Sequence, residues 1–319
     1  MRPLKFHPIL KQTLWGGERI IPYKELASGL SRVGESWELS GMPGSESVVA
    51  EGPWAGSTLS ELIGRFGAEL LGKANYARFG QEFPLLVKFI DAREDLSIQV
   101  HPDDELARKR HGKSGKCEMW YVLEAEPGAS LLTGFSRPIA PAEYERRVAD
   151  NTLTDVLNRQ AIASGDVFYL PAGRVHSIGK GSFIVEIQQS SDITYRIYDF
   201  DRRDAAGNSR ELHTELAREA IDFESSENSR ITYAPENNQE VRLVTTPYFT
   251  TSLYTLTART RCDWSATDSF VAIVLLQGSG SLTDNEGNRI DVRQGETWLL
   301  PASTQWTEIT PHTAPLRLL

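Results

Sequence analysis

The chain has 319 residues, 40% hydrophobic and 24% charged, a composition typical of a folded globular protein of about two domains. Its 34 basic residues stand against 43 acidic ones, and the resulting net charge of −9 argues against nucleic acid as a partner. The apolar run at 270–276 is too short to cross a membrane, and the first residues lack a secretory signal. Since the chain also has only two cysteines, we expect a cytoplasmic protein without a membrane partner.

Short strand-like segments dominate the chain. They are rich in β-branched and aromatic residues, and Gly, Pro, Asp or Asn punctuates many of them, a pattern typical of β-strands. The predicted strands are 86–91, 119–124, 166–170, 182–188, 242–246, 250–257, 270–276, 289–292 and 296–300. Turn residues at Gly278, Gly280 and 284–287 predict hairpins between the later strands.

Helical periodicity is less frequent. The first predicted helix spans 58–71, with Ser57 or Thr58 as its cap. Further helices are predicted at 105–111, where Asp103 or Asp104 is the cap, at 142–157 and at 211–221. Many strands with few helices predict a mainly β protein, a barrel or sandwich decorated by helices.

One sequence pattern occurs twice at an offset of 130 residues. Segments 165–176 and 295–306 both contain a glycine, a short apolar strand and a Pro-Ala turn, which predicts one β architecture repeated along the chain. The first copy ends in His176 and the second in Trp306, so the second has lost any imidazole chemistry at this position. The polar stretch 224–240 predicts a boundary between a metal-binding catalytic domain, 1–235, and a C-terminal domain without a metal site, 236–319, that serves packing or an interface.

Four polar residues form a candidate metal-binding set. Gln99 and His101 lie two apart and therefore face the same side of a strand, Glu118 opens another strand, and His176 follows the Pro-Ala-Gly turn. Nitrogen and oxygen ligands without sulfur suit a borderline divalent cation, which stays a strong Lewis acid when only one ligand is anionic. A single histidine is more often hydrogen-bonded or solvent-facing than a ligand, and spacing alone does not show that these segments meet.

The motifs around these residues resemble known families. Gly165-x5-Pro171-x-Gly173-x2-His176 resembles the second cupin motif, whereas the first cupin motif, His-x-His, is here Gln99-x-His101. Several ordered blocks together resemble the type I mannose-6-phosphate isomerases in their short bacterial form. These blocks are WGG at 15–17, GESWE at 34–38, PLLVKFIDA at 84–92, LSIQVHPDD at 96–104, KCEMWYVL at 116–123 and EIQQSSDITYRIYD at 186–199.

This resemblance implies two cupin-like jelly-roll β-barrels and a zinc enzyme that interconverts mannose 6-phosphate and fructose 6-phosphate. A hexose phosphate is then the small-molecule partner, and one Zn²⁺ per chain is the cofactor. Arg196 matches the active-site arginine of the family, and Lys116 matches a lysine that faces the substrate pocket. The zinc ligands implied by motif position are Gln99, His101, Glu118 and His176.

Isomerisation moves a proton between C1 and C2 through an enediol. A Lewis acid and a guanidinium would stabilise the negative charge that develops on the enediol oxygens. Glu186 is our hypothesis for the catalytic base, because its segment comes just after the metal-binding turn. The alternative is a strand carboxylate that pairs with a nearby basic residue. Arg196 has its own alternative, an exposed arginine on a strand.

Two other classes of function remain open at this point. One is a non-catalytic sugar-binding or regulatory cupin that retains its metal, and the other is an Fe(II) cupin oxygenase, since two histidines and a carboxylate also bind Fe(II). The polar set Lys116, Glu186 and Arg196 favours the isomerase, because a binding module does not need it. The sequence assigns neither the phosphate-binding residues nor an oligomeric state.

Overall fold

A computed structural model describes residues 1–224 and 228–319 of the chain. Its strands are β1 Leu4–Lys5, β2 Ile9–Gly17, β3 Val33–Met42, β4 Ser45–Glu46, β5 Leu85–Ala92, β6 Ile98–Val100, β7 Glu118–Ala125, β8 Ser130–Phe135, β9 Leu157–Ala161, β10 Val167–Leu170, β11 His176–Ile178, β12 Ser182–Gln189, β13 Tyr195–Tyr198, β14 Arg230–Ile231, β15 Glu240–Thr245, β16 Thr250–Leu256, β17 Thr260–Asp263, β18 Val271–Gln277, β19 Ser279–Asp284, β20 Arg289–Arg293, β21 Thr297–Leu300, β22 Trp306–Pro311 and β23 Leu316–Leu318. Its helices are α1 Ile20–Tyr23, α2 Leu59–Phe66, α3 Ala68–Leu71, α4 Lys73–Phe79, α5 Asp104–His111, α6 Pro141–Ala149 and α7 Thr214–Ala220, with a 3-10 helix at Leu153–Val156.

The first half of the chain forms two packed antiparallel sheets. An eight-stranded sheet has the order β14-β10-β7-β12-β5-β2-β3-β4, and a five-stranded sheet has the order β13-β6-β11-β8-β9. Trp120 and Phe168 from the larger sheet pack against Leu131 and Ile178 from the smaller one, and each of the four is at most 2% exposed. Each fully buried side chain of this kind contributes about 2–3 kcal/mol of hydrophobic stabilisation.

The second half repeats this two-sheet arrangement. A six-stranded sheet, β1-β21-β18-β23-β16-β15, packs against a four-stranded sheet, β17-β22-β19-β20, through a core that includes Leu275, Trp298, Leu282 and Ile309. The first strand of the chain, β1, belongs to this second pair of sheets because it pairs with β21. The predicted mainly β class with a few decorating helices is confirmed, while a division of the chain at residue 235 stays a prediction.

The two copies of the repeated sequence pattern adopt the same local structure. In the first copy β10 ends at Leu170 and β11 begins at His176, and in the second copy β21 ends at Leu300 and β22 begins at Trp306. The glycine that opens each copy has a positive φ, 90° at Gly165 and 81° at Gly295, a conformation that favours glycine. In both halves the next strand therefore begins four residues after the Pro-Ala turn.

The helices agree with the predictions in part. Thr58 caps α2 with a complete capping box, but the predicted helix 58–71 is interrupted at Gly67 (φ 49°) and continues as α3. The prediction 142–157 was wrong beyond Ala149, because Asn151 takes a left-handed conformation and the chain enters the 3-10 helix and then β9. Asp103 caps α5 by accepting from the Leu106 amide. None of the described helices is long and apolar enough to span a membrane.

Candidate functional site

The smaller sheet of the first half aligns three of the predicted site residues in one row. Gln99 on β6 pairs with His176 on β11 and with Arg196 on β13. Neighbouring strands lie about 4.8 Å apart and residues in register share a face, so these side chains stand side by side. His101 follows Gln99 by two residues, just after the end of β6, and Glu118 comes from the opposite sheet as the first residue of β7.

The structure brings His101, Glu118 and His176 into one buried cluster. One ligand atom from each of the three lies within 4.8 Å of the others, and each residue is at most 1% exposed. Glu118 Oε1 lies 3.1 Å from His176 Nε2, and Glu118 Oε2 lies 3.4 Å from His101 Nε2. Three segments that are distant in sequence therefore meet at one point between the two sheets.

Both imidazoles are oriented by the backbone. His101 Nδ1 lies 2.8 Å from the Ile193 carbonyl oxygen, and His176 Nδ1 lies 2.7 Å from the Arg174 carbonyl oxygen. Because a carbonyl only accepts, each Nδ1 carries the proton and each Nε2 offers its lone pair to the cluster. Histidines that bind metals commonly donate their second ring N–H in this way, and the hydrogen bond fixes the tautomer and the orientation of the ring.

The carboxylate of Glu118 is the part of the cluster that most requires a cation. Within residues 1–224 and 228–319 neither of its buried oxygens accepts a well-aligned hydrogen bond, and the Lys116 ammonium group forms an ion pair with Oε2. Burial raises the pKa of Glu118, but its interactions with the Lys116 ammonium group and with the two imidazoles outweigh burial and bring that pKa well below its usual value. A buried, ionised carboxylate between two imidazole lone pairs fits a divalent cation, whose charge would offset the cost of burial.

Gln99 lies beside the cluster with its amide nitrogen turned inward. Its Nε2 is 3.3 Å from His176 Nε2, while its Oε1 is 3.4 Å from the Ser97 hydroxyl. The oxygen and nitrogen ends of an amide are interchangeable by a half-turn, which would present Oε1 to a cation. Its place next to His176 is therefore compatible with the fourth ligand position predicted from the sequence.

Lys116 lies between the cluster and the cavity. Its ammonium group is 3.0 Å from Glu118 Oε2 and 3.1 Å from His101 Nε2, and its side chain is 6% exposed. Burial, followed by the Lys116 charge, lowers the pKa of His101 to about 3, so this imidazole is neutral at pH 7. Neutral imidazoles and an ionised carboxylate are the protonation states that bind a metal.

Glu186 lies in the larger sheet, opposite the histidines. It is in register with Lys88 on β5 and with Trp120 on β7. The Lys88 ammonium group donates to Glu186 Oε1 at 2.8 Å, and the Trp120 indole N–H donates to Oε2 at 3.0 Å. Burial alone would lower the pKa of Lys88, but the Glu186 carboxylate raises it above its usual value. Glu186 thus pairs with a basic residue and also lines the cavity.

A cavity of about 630 Å³ opens next to the cluster and is lined by Gln99, Lys116, Glu186 and Arg196 among others. Arg196 donates from Nη1 to the Glu211 carbonyl at 2.9 Å, while its Nε is buried without a hydrogen-bond partner in the described residues. Burial and the neighbouring Arg210 lower the pKa of Arg196. The structure thus gathers all seven predicted site residues at or beside one cavity.

Two cavity residues, Lys88 and Arg210, were missed by the sequence analysis. A lysine inside the apolar run PLLVKFI is a signal that could have revealed Lys88, because a charge within a buried strand needs a partner. Arg210 gave no comparable signal. It lies in the irregular segment after β13, where its guanidinium forms two hydrogen bonds with the Asp199 carboxylate.

The C-terminal half contains no comparable cluster of metal-ligating side chains within residues 228–319. At the position that corresponds to His176, Trp306 stacks beneath the Arg261 guanidinium, 4.2 Å from ring centroid to Cζ.

The chain is similar to named proteins over most of its length. The family model described as phosphomannose isomerase type I, catalytic domain, matches residues 4–132. A Bacillus subtilis protein named probable mannose-6-phosphate isomerase GmuF is 34% identical, with 94% of this chain and 93% of that protein covered. The mannose-6-phosphate isomerase of Streptococcus mutans is 33% identical over 94% of this chain and 92% of that protein. The crystal structure of the mannose 6-phosphate isomerase from Bacillus subtilis matches with a TM-score of 0.89 at 29% identity, covering 100% of this chain and 98% of that one. The chain therefore belongs to the type I mannose-6-phosphate isomerase family.

Proposed function

We propose that the protein is a metal-dependent aldose–ketose isomerase that interconverts mannose 6-phosphate and fructose 6-phosphate. The observation that carries this proposal is the buried His101–Glu118–His176 cluster, which adjoins a cavity lined by both acidic and basic side chains. The relatives named as mannose-6-phosphate isomerases match nearly the whole chain, and this match supports the proposal. A hexose phosphate is the substrate class that these names imply.

Zinc is the metal we propose, one ion per chain. His101, Glu118 and His176 would hold it, with Gln99 as the fourth ligand. Two imidazole nitrogens and oxygen donors without sulfur suit a borderline divalent cation such as Zn²⁺. When bound, this ion supplies Lewis-acid stabilisation of negative charge on the substrate oxygens.

Glu186 is the proposed base that moves a proton between C1 and C2. Its carboxylate lines the cavity, and the hydrogen bonds from Lys88 and Trp120 fix its orientation. Each oxygen engages one donor, so a second lone pair remains on each to accept a proton. The buried position of Glu186 shields the transferred proton from bulk water.

Lys116 and Arg196 complete the proposed site. Lys116 reaches the cavity beside the histidines, where its ammonium group can donate a proton to a substrate oxygen. Among the residues that the structure describes, the buried Nε of Arg196 has no hydrogen-bond partner, and Arg210 lies near enough to lower the Arg196 pKa. Arg196 and Arg210 both line this end of the cavity, where Arg210 also pairs with Asp199. We propose that this end receives the phosphate dianion, which guanidinium groups bind bidentately.

A coupled assay tests the proposal. Fructose 6-phosphate should form from mannose 6-phosphate, EDTA should abolish its formation, and added Zn²⁺ should restore it. His176→Ala should remove both metal and activity, whereas the control His7→Ala, at an exposed position, should leave both unchanged. Binding of mannose 6-phosphate without product would identify a non-catalytic cupin, and metal-dependent oxygen consumption would identify an oxygenase. Either result would overturn the isomerase proposal.

A further inference from the structure

The segment between α5 and β7 places two groups of the site, because it carries Lys116 and leads into Glu118. This segment is fastened to Asp104, the first residue of α5: the Gly115 amide donates to Asp104 Oδ1 at 2.8 Å. The approach is so close that a Cβ on Gly115 would lie 2.6 Å from the Asp104 backbone nitrogen. The position of the segment therefore depends on where the Asp104 carboxylate is held.

Two further donors hold that carboxylate. The Gln189 side-chain amide donates to Asp104 Oδ1 at 3.0 Å, and its own Oε1 accepts from the Cys117 amide at 2.8 Å. The Tyr248 hydroxyl donates to Asp104 Oδ2 at 2.9 Å. Burial would raise the pKa of Asp104, but the hydrogen bonds from Gly115, Gln189 and Tyr248 together lower it. Asp104 is thus an ionised acceptor for three separate parts of the chain.

Tyr248 is the member of this network that comes from the second half of the chain. It lies in the turn between β15 and β16, and that turn is internally bonded: the amides of Tyr248 and Phe249 both donate to the Thr246 hydroxyl. Phe249 is 7% exposed within the main hydrophobic core, which anchors the turn. The Tyr248 hydroxyl is therefore a fixed donor.

We propose that Tyr248 is a positioning residue that acts through Asp104 to hold the Lys116 segment in its active arrangement. The C-terminal half then contributes to turnover without touching the reacting atoms. This inference rests on the proposed isomerase function for its kinetic consequences, but its structural consequence can be measured without any activity.

The kinetic test is Tyr248→Phe, which removes one hydroxyl and keeps the ring. The net value of one hydrogen bond predicts a decrease in kcat of about three- to tenfold. KM for mannose 6-phosphate and the zinc content should stay within about twofold, because Lys116 acts on the reacting oxygens rather than on the phosphate. Tyr233→Phe is the matched control: this half-buried tyrosine donates one hydrogen bond, to the Gly165 carbonyl, away from the Lys116 segment. It should leave kcat unchanged.

A double-mutant cycle tests whether Tyr248 acts through Asp104. If it does, adding Tyr248→Phe to Asp104→Ala lowers kcat no further, whereas independent effects multiply. Hydrogen exchange at the Gly115 amide gives a readout without turnover, and Tyr248→Phe should accelerate this exchange while Tyr233→Phe does not. Unchanged exchange at Gly115, or a kcat decrease that multiplies in the double variant, would overturn the proposal. An inactive parent enzyme with accelerated exchange would refute the proposed function and leave the positioning network standing.

Discussion

The buried pair Lys88–Glu186 gives the most quantitative prediction. The ammonium and carboxylate groups are 2.8 Å apart, and their side chains are 8% and 4% exposed. At an effective dielectric constant of about 20 the attraction between them is about 6 kcal/mol, which offsets the cost of taking both charges out of water. Lys88→Met removes the attraction and leaves Glu186 buried. We expect the free energy of unfolding to fall by about 3 kcal/mol. This is the lower end of the range for a buried ion pair that loses one partner, because the Trp120 hydrogen bond to Glu186 remains.

Urea unfolding followed by circular dichroism measures this loss. The double variant Lys88→Met/Glu186→Gln should recover at least half of it, because no unpaired charge stays buried. Arg218→Met is the matched control: it breaks an ion pair with Glu145 at 2.7 Å whose members are 46% and 50% exposed, and we expect a change below about 1 kcal/mol. Equal stability losses in the single and double variants would show that the unpaired Glu186 carboxylate is not the cause of the loss.

Three further predictions concern the cavity and the thiols. Glu186→Gln should lower kcat by about 100-fold or more with zinc content unchanged, and near-normal turnover would remove Glu186 from the mechanism. Arg196→Gln should raise both KM for mannose 6-phosphate and the inhibition constant of inorganic phosphate, and unchanged values would place the phosphate elsewhere. Burial raises the pKa of the Cys117 thiol and raises the pKa of the Cys262 thiol to about 11. At pH 8 we therefore expect iodoacetamide to label neither cysteine in the folded protein and both cysteines in urea. Labelling of the folded protein would contradict their burial.

Nine of the 23 strands in the described residues were predicted, because their apolar residues are locally concentrated. The prediction 182–188, for example, differs from β12 by one residue. The long strands β2 and β3 escaped prediction because polar residues interrupt their apolar pattern, as in the segment ILKQTLWGG of β2. The helix prediction beyond Ala149 failed because it overlooked Asn151, a residue type that favours the left-handed conformation at helix ends.

The candidate site was predictable only through the resemblance to a family. Spacing placed Gln99 and His101 on one strand face, but the meeting of His101 with Glu118 depends on the order of strands in two facing sheets, which no local pattern encodes. The link from Tyr248 to Asp104 likewise joins residues 144 positions apart. Such contacts follow from the packing of the whole chain.

A crystal structure of the zinc-loaded protein, with anomalous data collected at the zinc edge, tests the proposed metal site directly. We expect one strong peak per chain, about 2.0–2.2 Å from His101 Nε2, His176 Nε2 and a Glu118 carboxylate oxygen. A zinc peak elsewhere, with these three side chains free of metal, would rule out this metal site.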